Sequence, residues 1–215
     1  MERVTMRVSR LSGSVLIALL AAAIAACNTT TSTVKRSPAR IEVQEAVGFT
    51  ITEEARVPGE VRVDYNDALG LLGQGRLQEG ITALETVAGE APALSAPRID
   101  LGIAYHQIGD LEAAEKHLRQ ALDLNPRHPI ALNELGIVYR KTARFAEARE
   151  SYEAALAVYP GYHYARRNLA ILCDLYLEDL NCARTNYEAY LATVNSDEEA
   201  TMWLKDVRYR SGLQE

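Results

Sequence analysis

Three cysteines carry the most reactive side chains of this sequence: Cys27 directly behind an apolar run, and Cys173 and Cys182 nine residues apart. A thiol in the first setting is a candidate for acylation, and a pair in the second for a disulfide or a redox couple. Zinc needs further nitrogen or sulfur ligands, and no histidine pair shares the neighbourhood of the cysteines at ligand spacing. His106, His117, His128 and His163 are each isolated, as solvated histidines usually are. A catalytic Cys173 would have to be an exposed thiolate of low pKa, and no Lys, Arg or His stands directly beside it. The sequence holds no Gly-rich phosphate loop, nucleophile elbow or metal triad, and its many acids fall at helical surface positions. These residues predict a protein that is not an enzyme, with no cofactor, no metal and no small-molecule substrate.

The elements that position the cysteines follow from composition and pattern. In 215 residues, 48% apolar and 24% charged, there is material for one core or one run of repeats behind an N-terminal extension. The formal charge is −6, and the first 26 residues hold Arg3, Arg7 and Arg10 against Glu2, so the remainder is more acidic still. Phosphate binding requires clustered Lys and Arg, which excludes nucleic acid as an expected partner.

Val15 to Ala26 form an unbroken apolar run of twelve that ends at Cys27. At helical rise this covers about 18 Å, short of the roughly 30 Å hydrocarbon slab, so it reads as the core of a signal peptide. Ile24-Ala25-Ala26-Cys27 resembles the bacterial lipobox, in which the cysteine is lipidated and becomes the new N-terminus. A diacylglycerol with an N-acyl chain supplies the two or more anchors that stable attachment requires. A plain A-x-A cleavage site with an incidental cysteine is the competing reading. Asn28 in the next position resembles that of lipoproteins passed on to the outer membrane, which implies an outer-membrane lipoprotein of the cell envelope facing the periplasm. Residues 28–40 are mostly Thr, Ser, Pro, Lys and Arg, a tether that buries too little to fold alone. Ile41, Val43, Phe49 and Ile51 come in near-alternation, which fits a short strand or an extended arm, and residues 41–60 are left open.

Leu101-Gly102-x-x-Tyr105 returns 34 residues later as Leu135-Gly136-x-x-Tyr139, and Ala114, Leu118, Ala121 and Pro126 are matched by Ala148, Tyr152, Ala155 and Pro160. This resembles the tetratricopeptide repeat, a pair of antiparallel helices whose small residues permit close approach. The resemblance implies an all-α, right-handed α-solenoid of about four TPR helical hairpins plus a C-terminal capping helix. A weaker unit precedes, with Gly80 where alanine is usual, which predicts looser packing there. A fourth fits after one residue is inserted in its turn, so that Leu180, Ala183, Tyr187, Tyr190 and Leu191 reproduce the second-helix stripe. The expected organisation is a signal peptide at 1–26, a lipidated N-terminus and tether or arm at 27–60, repeats at 61–94, 95–128, 129–162 and 163–195, and a capping helix with tail at 196–215. Ser196 to Glu199 read as a capping box, and Ala200, Trp203, Leu204 and Val207 as the stripe that covers the last repeat, although Trp203 also suits a partner anchor. In such a hairpin the nine-residue spacing is that of Tyr105 and Ala114, so the resemblance brings Cys173 and Cys182 to disulfide distance, with two buried free thiols as the alternative.

In this family the first helices line a concave groove where ligands lie. Leu69, Ile103, Ile137 and Ile171, each one residue after the Leu-Gly position, imply an apolar ladder along it, or else inter-repeat packing. Leu69 stands where family members that clamp a C-terminal carboxylate carry Asn, so that clamp is not implied. Tyr65, His106, Arg140, Tyr164 and Arg167 complete the expected partner-binding groove, beside Asn66, Asp100, Asn133, Glu134, Asn168 and Asp174. This mixture suits an apolar peptide or an amphipathic helix held at its flanks. Tyr159, Tyr162 and Tyr164 around Pro160-Gly161 are expected as exposed contacts. The layout resembles the repeat-bearing lipoproteins that pilot type IV pilus secretins. The alternatives are an adaptor for peptidoglycan hydrolases and a partner of an energised outer-membrane transport system. All three bind a protein partner and are held at the membrane by the N-terminal lipid.

Overall fold

The computed structural model describes residues 40–44, 48–52 and 57–212, so the expectations for the leader, Cys27 and most of the tether lie outside the described residues. The alternation left open in the sequence is an antiparallel hairpin of β1 (Arg40–Gln44) and β2 (Gly48–Thr52). Its register sets Ile41 opposite Ile51 and Val43 opposite Phe49.

Nine helices follow among the described residues, paired as α1 (Gly59–Gly73) with α2 (Leu77–Glu90), α3 (Ala96–Gln107) with α4 (Leu111–Leu124), α5 (Pro129–Lys141) with α6 (Phe145–Val158), and α7 (His163–Leu175) with α8 (Leu180–Leu191). The last, α9 (Glu198–Arg210), packs on α8. Each helix packs chiefly on its sequence neighbours, which is the stacking of a solenoid. The first helix begins two residues before the expected boundary of the repeats.

Close approach within the first three hairpins rests on a glycine, and in the fourth Ala170 holds that position. A Cβ on Gly102 would come within 2.5 Å of Leu118, and one on Gly136 within 2.5 Å of the Tyr152 ring. Gly80 does not loosen the first hairpin as its residue type suggested, because Leu72 fills the space an alanine methyl would take and its Cγ would stand 2.8 Å from that methyl. Small and large residues have exchanged partners while the contact survives.

The turns within hairpins repeat a second device. Gly75, Gly109 and Ala143, spaced by 34, all adopt left-handed φ (76°, 86° and 59°), and Glu178 at 54° comes 35 residues after Ala143. A backbone bond closes the first three turns in register, from Arg76 N to Leu71 O, Asp110 N to Tyr105 O and Arg144 N to Tyr139 O. In the fourth, Asp179 N reaches Cys173 O, so the inserted residue sits where the sequence alignment required it. Asp110 and Asp179 then cap α4 and α8, accepting from Ala113 N and Cys182 N at 3.0 Å. At α9 the cap is Asp197, which accepts from Ala200 N at 2.9 Å. The predicted box was one residue early, because aspartate at 197 offers the stronger acceptor and leaves both Glu198 and Glu199 in the first turn.

Candidate functional site

α3 touches α5 and α5 touches α7, so first helices of successive units approach one another and form the inner wall of the stack. Polar bridges run along it: the Tyr65 hydroxyl donates to Asp100, and Asn168 Nδ2 donates to Asn133 Oδ1 at 2.9 Å. Leu69, Ile103, Ile137 and Ile171 occupy the same position of four successive first helices and are all half-buried. Ile103, Ile137 and Ile171 pack on the main core while part of each remains accessible. Of the two roles weighed from sequence, inter-repeat packing is observed for Ile103, Ile137 and Ile171, and each keeps part of its surface accessible.

Charge flanks the ladder in the middle two units. Three residues before Ile103 and Ile137 stand Asp100 and Glu134. Burial raises both carboxyl pKa values, against the lowering effect of Tyr65 on Asp100 and of Asn133 on Glu134. No cation pairs with either carboxylate among the described residues. Three residues after the ladder stand His106 and Arg140. Burial, then Lys141 and Arg140, lower the His106 pKa, and its Nε2 is shielded from solvent without a hydrogen-bond partner. Burial alone would lower the Arg140 guanidinium, but the Tyr152 and Tyr176 hydroxyls outweigh it and leave its pKa raised. Its Cζ lies 5.8 Å from the Tyr176 ring centroid, and no carboxylate pairs with it among the described residues.

The fourth unit is different, because α9 already satisfies it. Arg167 Nη2 bonds Glu199 at 3.2 Å, its Nε lies 3.6 Å from Asp197, and its guanidinium stacks 5.0 Å from the Trp203 ring. Asp174 pairs with Arg210 and faces the Tyr187 hydroxyl. Trp203 lies 5.9 Å from the Tyr187 ring and packs on the core, so it belongs to the cap. The expected tyrosine contact patch shrinks to one residue: Tyr159 and Tyr162 are 9% and 7% exposed, while Tyr164 is 59% exposed. Stacking of Tyr159 on Tyr162 turns both rings inward at the bend, which residue type alone does not show.

Cys173 and Cys182 form a disulfide that ties α7 to α8, with Cα atoms 5.8 Å apart. Cys173 stands where the earlier units carry Tyr105 and Tyr139, and it is fully buried. Asp179 completes a group whose ligand atoms lie within 4.8 Å of one another, but sulfurs bonded to each other offer no thiolate to a metal. The buried Cys173 is likewise closed to a substrate. No described helix is long and apolar enough to cross a membrane.

A family model described as tetratricopeptide repeat matches residues 65–129, 99–163 and 134–175. The photosystem I assembly protein Ycf3 of Cyanophora paradoxa is 30% identical over 129 residues, covering 56% of this chain and 72% of that protein. Two larger curated relatives, the anaphase-promoting complex subunit CDC16 of Saccharomyces cerevisiae and the protein O-mannosyl-transferase F38B6.6 of Caenorhabditis elegans, are spanned over only 10% and 12% of their length. Among solved structures, the Pseudomonas aeruginosa pilF protein superposes with a TM-score of 0.64 at 19% identity, covering 70% of this chain and 68% of that one. The first repeat domain of RPAP3, solved with the HSP90 peptide SRMEEVD bound, superposes at 0.52 with 21% identity, covering 55% of this chain and 95% of that one.

Proposed function

Because the chain belongs to the tetratricopeptide-repeat family, whose pattern spans just over half of it, we propose that it is a lipid-anchored scaffold of the bacterial envelope, which holds a protein partner in its concave groove during assembly of a larger complex. The observation that carries this reading is the ladder: Ile103, Ile137 and Ile171 stay half-exposed in register on the inner wall, although each is apolar and rooted in the core. A row of accessible aliphatic residues is disfavoured by water unless something covers it. Two further facts support the placement. Ile24-Ala25-Ala26-Cys27 has the lipobox form, and a disulfide between two otherwise unused cysteines suits an oxidising compartment.

Within that setting the favoured partner is an outer-membrane secretin or pilus component, a reading supported by the likeness in fold to pilF. The test is covalent capture in intact cells by the full chain and by Ile103→Glu/Ile137→Glu. The expected result is one envelope protein captured by the wild type and lost from the variant, with both chains equally abundant. Equal capture by both would overturn the groove reading. Labelling with a radioactive fatty acid, present in the wild type and absent from Cys27→Ala, tests the anchor separately.

A further inference from the structure

The groove is not evenly charged across its width. In α3 the order along the helix is Asp100, Ile103, His106, and in α5 it is Glu134, Ile137, Arg140. Residues spaced by three stay on one side of a helix, and these helices lie side by side. The two rows therefore build three parallel stripes running from one unit to the next: acidic Asp100 and Glu134, aliphatic Ile103 and Ile137, and a third in which Arg140 carries the positive charge beside the neutral imidazole of His106. All six residues are partly buried and partly accessible. Among the described residues, no ion pair neutralises Asp100, Glu134 or Arg140. Among the described residues the hydrogen-bond partner of Asp100 is Tyr65 and that of Glu134 is Asn133, and Arg140 faces aromatic hydroxyls and no carboxylate. The neighbouring unit shows what neutralisation looks like, with Arg167 and Asp174 both engaged by α9.

We infer, on the reading of the groove as the binding surface, that its partner is an amphipathic helix whose apolar face is bordered by basic residues on one flank and acidic residues on the other. An extended strand sends alternate side chains to opposite faces. A helix instead carries an apolar stripe with a polar flank on each side along its whole length, which is the arrangement complementary to three stripes. Charges brought opposite their counterparts in a partly desolvated groove attract more strongly than they would in water. Because the flanks differ in sign, the groove also sets the direction in which the helix lies. A helix inserted backwards places like charges together.

The probes are three labelled, stapled 18-residue helices with the same leucine face and with Lys/Glu, Lys/Lys or Glu/Glu flanks, titrated into the full chain at physiological salt by fluorescence anisotropy. The Lys/Glu helix is expected to bind at least tenfold tighter than either of the others. Asp100→Asn/Glu134→Gln should cost it at least fivefold and erase its advantage over the Glu/Glu helix. Glu90→Gln/Asp123→Asn removes the same charge from exposed positions on second helices, and should change binding less than twofold. The inference is overturned if the three helices bind alike. It is equally overturned if the Lys/Lys helix binds tightest, as attraction to a net charge of −6 alone would give, or if the two acid-to-amide pairs act equally. Ile103→Glu/Ile137→Glu separates the two levels. Loss of all three helices on that background with no flank preference keeps the groove and removes this inference, whereas no loss removes the groove as well.

Discussion

Gly136→Ala is expected to destabilise the protein although alanine is the better helix former. The new methyl carbon would meet Tyr152 Cε1 at 2.5 Å, Cδ1 at 2.7 Å and Cζ at 3.0 Å, and the ring is fully buried, with no solvent to retreat into. Forcing a methyl into a packed core costs about 1–3 kcal/mol, and replacing glycine inside a helix returns about 1 kcal/mol. The expected net loss is therefore about 0–2 kcal/mol, toward the upper end because the ring cannot move into solvent. Gly80→Ala is the internal control, because its methyl would meet chiefly the side chain of Leu72, a half-buried leucine, with Cγ at 2.8 Å and the Leu72 backbone N at 3.3 Å. Rotation of that side chain relieves the contact, and the net effect should lie within about 0.5 kcal/mol of zero. Urea denaturation followed by circular dichroism measures both, and a Tyr152→Leu background isolates the coupling to the ring. The strain of Gly136→Ala should largely disappear in that background. A Gly136→Ala protein as stable as the wild type, or equally destabilised with leucine at 152, would refute the claim that the glycine exists to seat the ring.

Reduction of the Cys173–Cys182 bridge reopens a short loop and should cost about 2–3 kcal/mol on the chain-entropy estimate. The native protein should resist alkylation until reductant is added, and a Cys173→Ala/Cys182→Ala variant should melt at a temperature that reductant no longer changes. Ala143→Gly relieves a left-handed turn that glycine occupies in the two preceding units, with an expected gain of about 0.5 kcal/mol once the entropy of the unfolded glycine is subtracted; a loss of stability would contradict the strain. The pH dependence follows from the raised pKa values of Asp100 and Glu134. Carboxyls raised in the folded state add stability that is complete below the ordinary carboxylate pKa of about 4 and is lost as pH rises through the raised values. Asp100→Asn/Glu134→Gln should accordingly be more stable than the wild type at pH 7, with the difference shrinking as the solution is acidified, and a gap independent of pH would remove desolvation as its cause.

The repeat was legible in the sequence because its spacing is enforced by backbone geometry: a turn residue with left-handed φ and a close helix contact must recur at fixed intervals. The insertion in the fourth unit was legible for the same reason, since restoring the stripe of Ala183 and Tyr187 admits one extra residue. The ladder and its charged neighbours could be named from their positions. Which charges were already neutralised could not, because that depends on α9 reaching back to Arg167 and Asp174 across more than thirty residues. The tyrosines at 159 and 162 were misjudged because a bend exposes its backbone, and only the stacking of the two rings reveals that their side chains turn inward. Gly80 misled in the opposite direction, since a smaller residue predicts a gap only when its neighbour is also unchanged.

The two ends of the solenoid are stabilised by different means, and this bears on how a partner is held. In a linear stack each unit draws its stability from its neighbours, so the ends open first unless they are secured. The C-terminal end is secured by the disulfide, by the buried face of α9 and by ion pairs from Arg167 and Arg210, and its core is continuous from α3 to α9. The N-terminal hairpin packs in two smaller clusters, one built on Ile81, Leu84 and Leu101 and the other on Val61, Val87 and Ala91. Opening should therefore begin at α1 and α2. A helix laid along the ladder from Leu69 to Ile171 bridges the loose end to the secured one, and so binding should slow amide exchange in α1 and α2 more than in α7 and α8. Protection confined to α7 and α8 would place the partner on the exposed Tyr164 edge, away from the ladder.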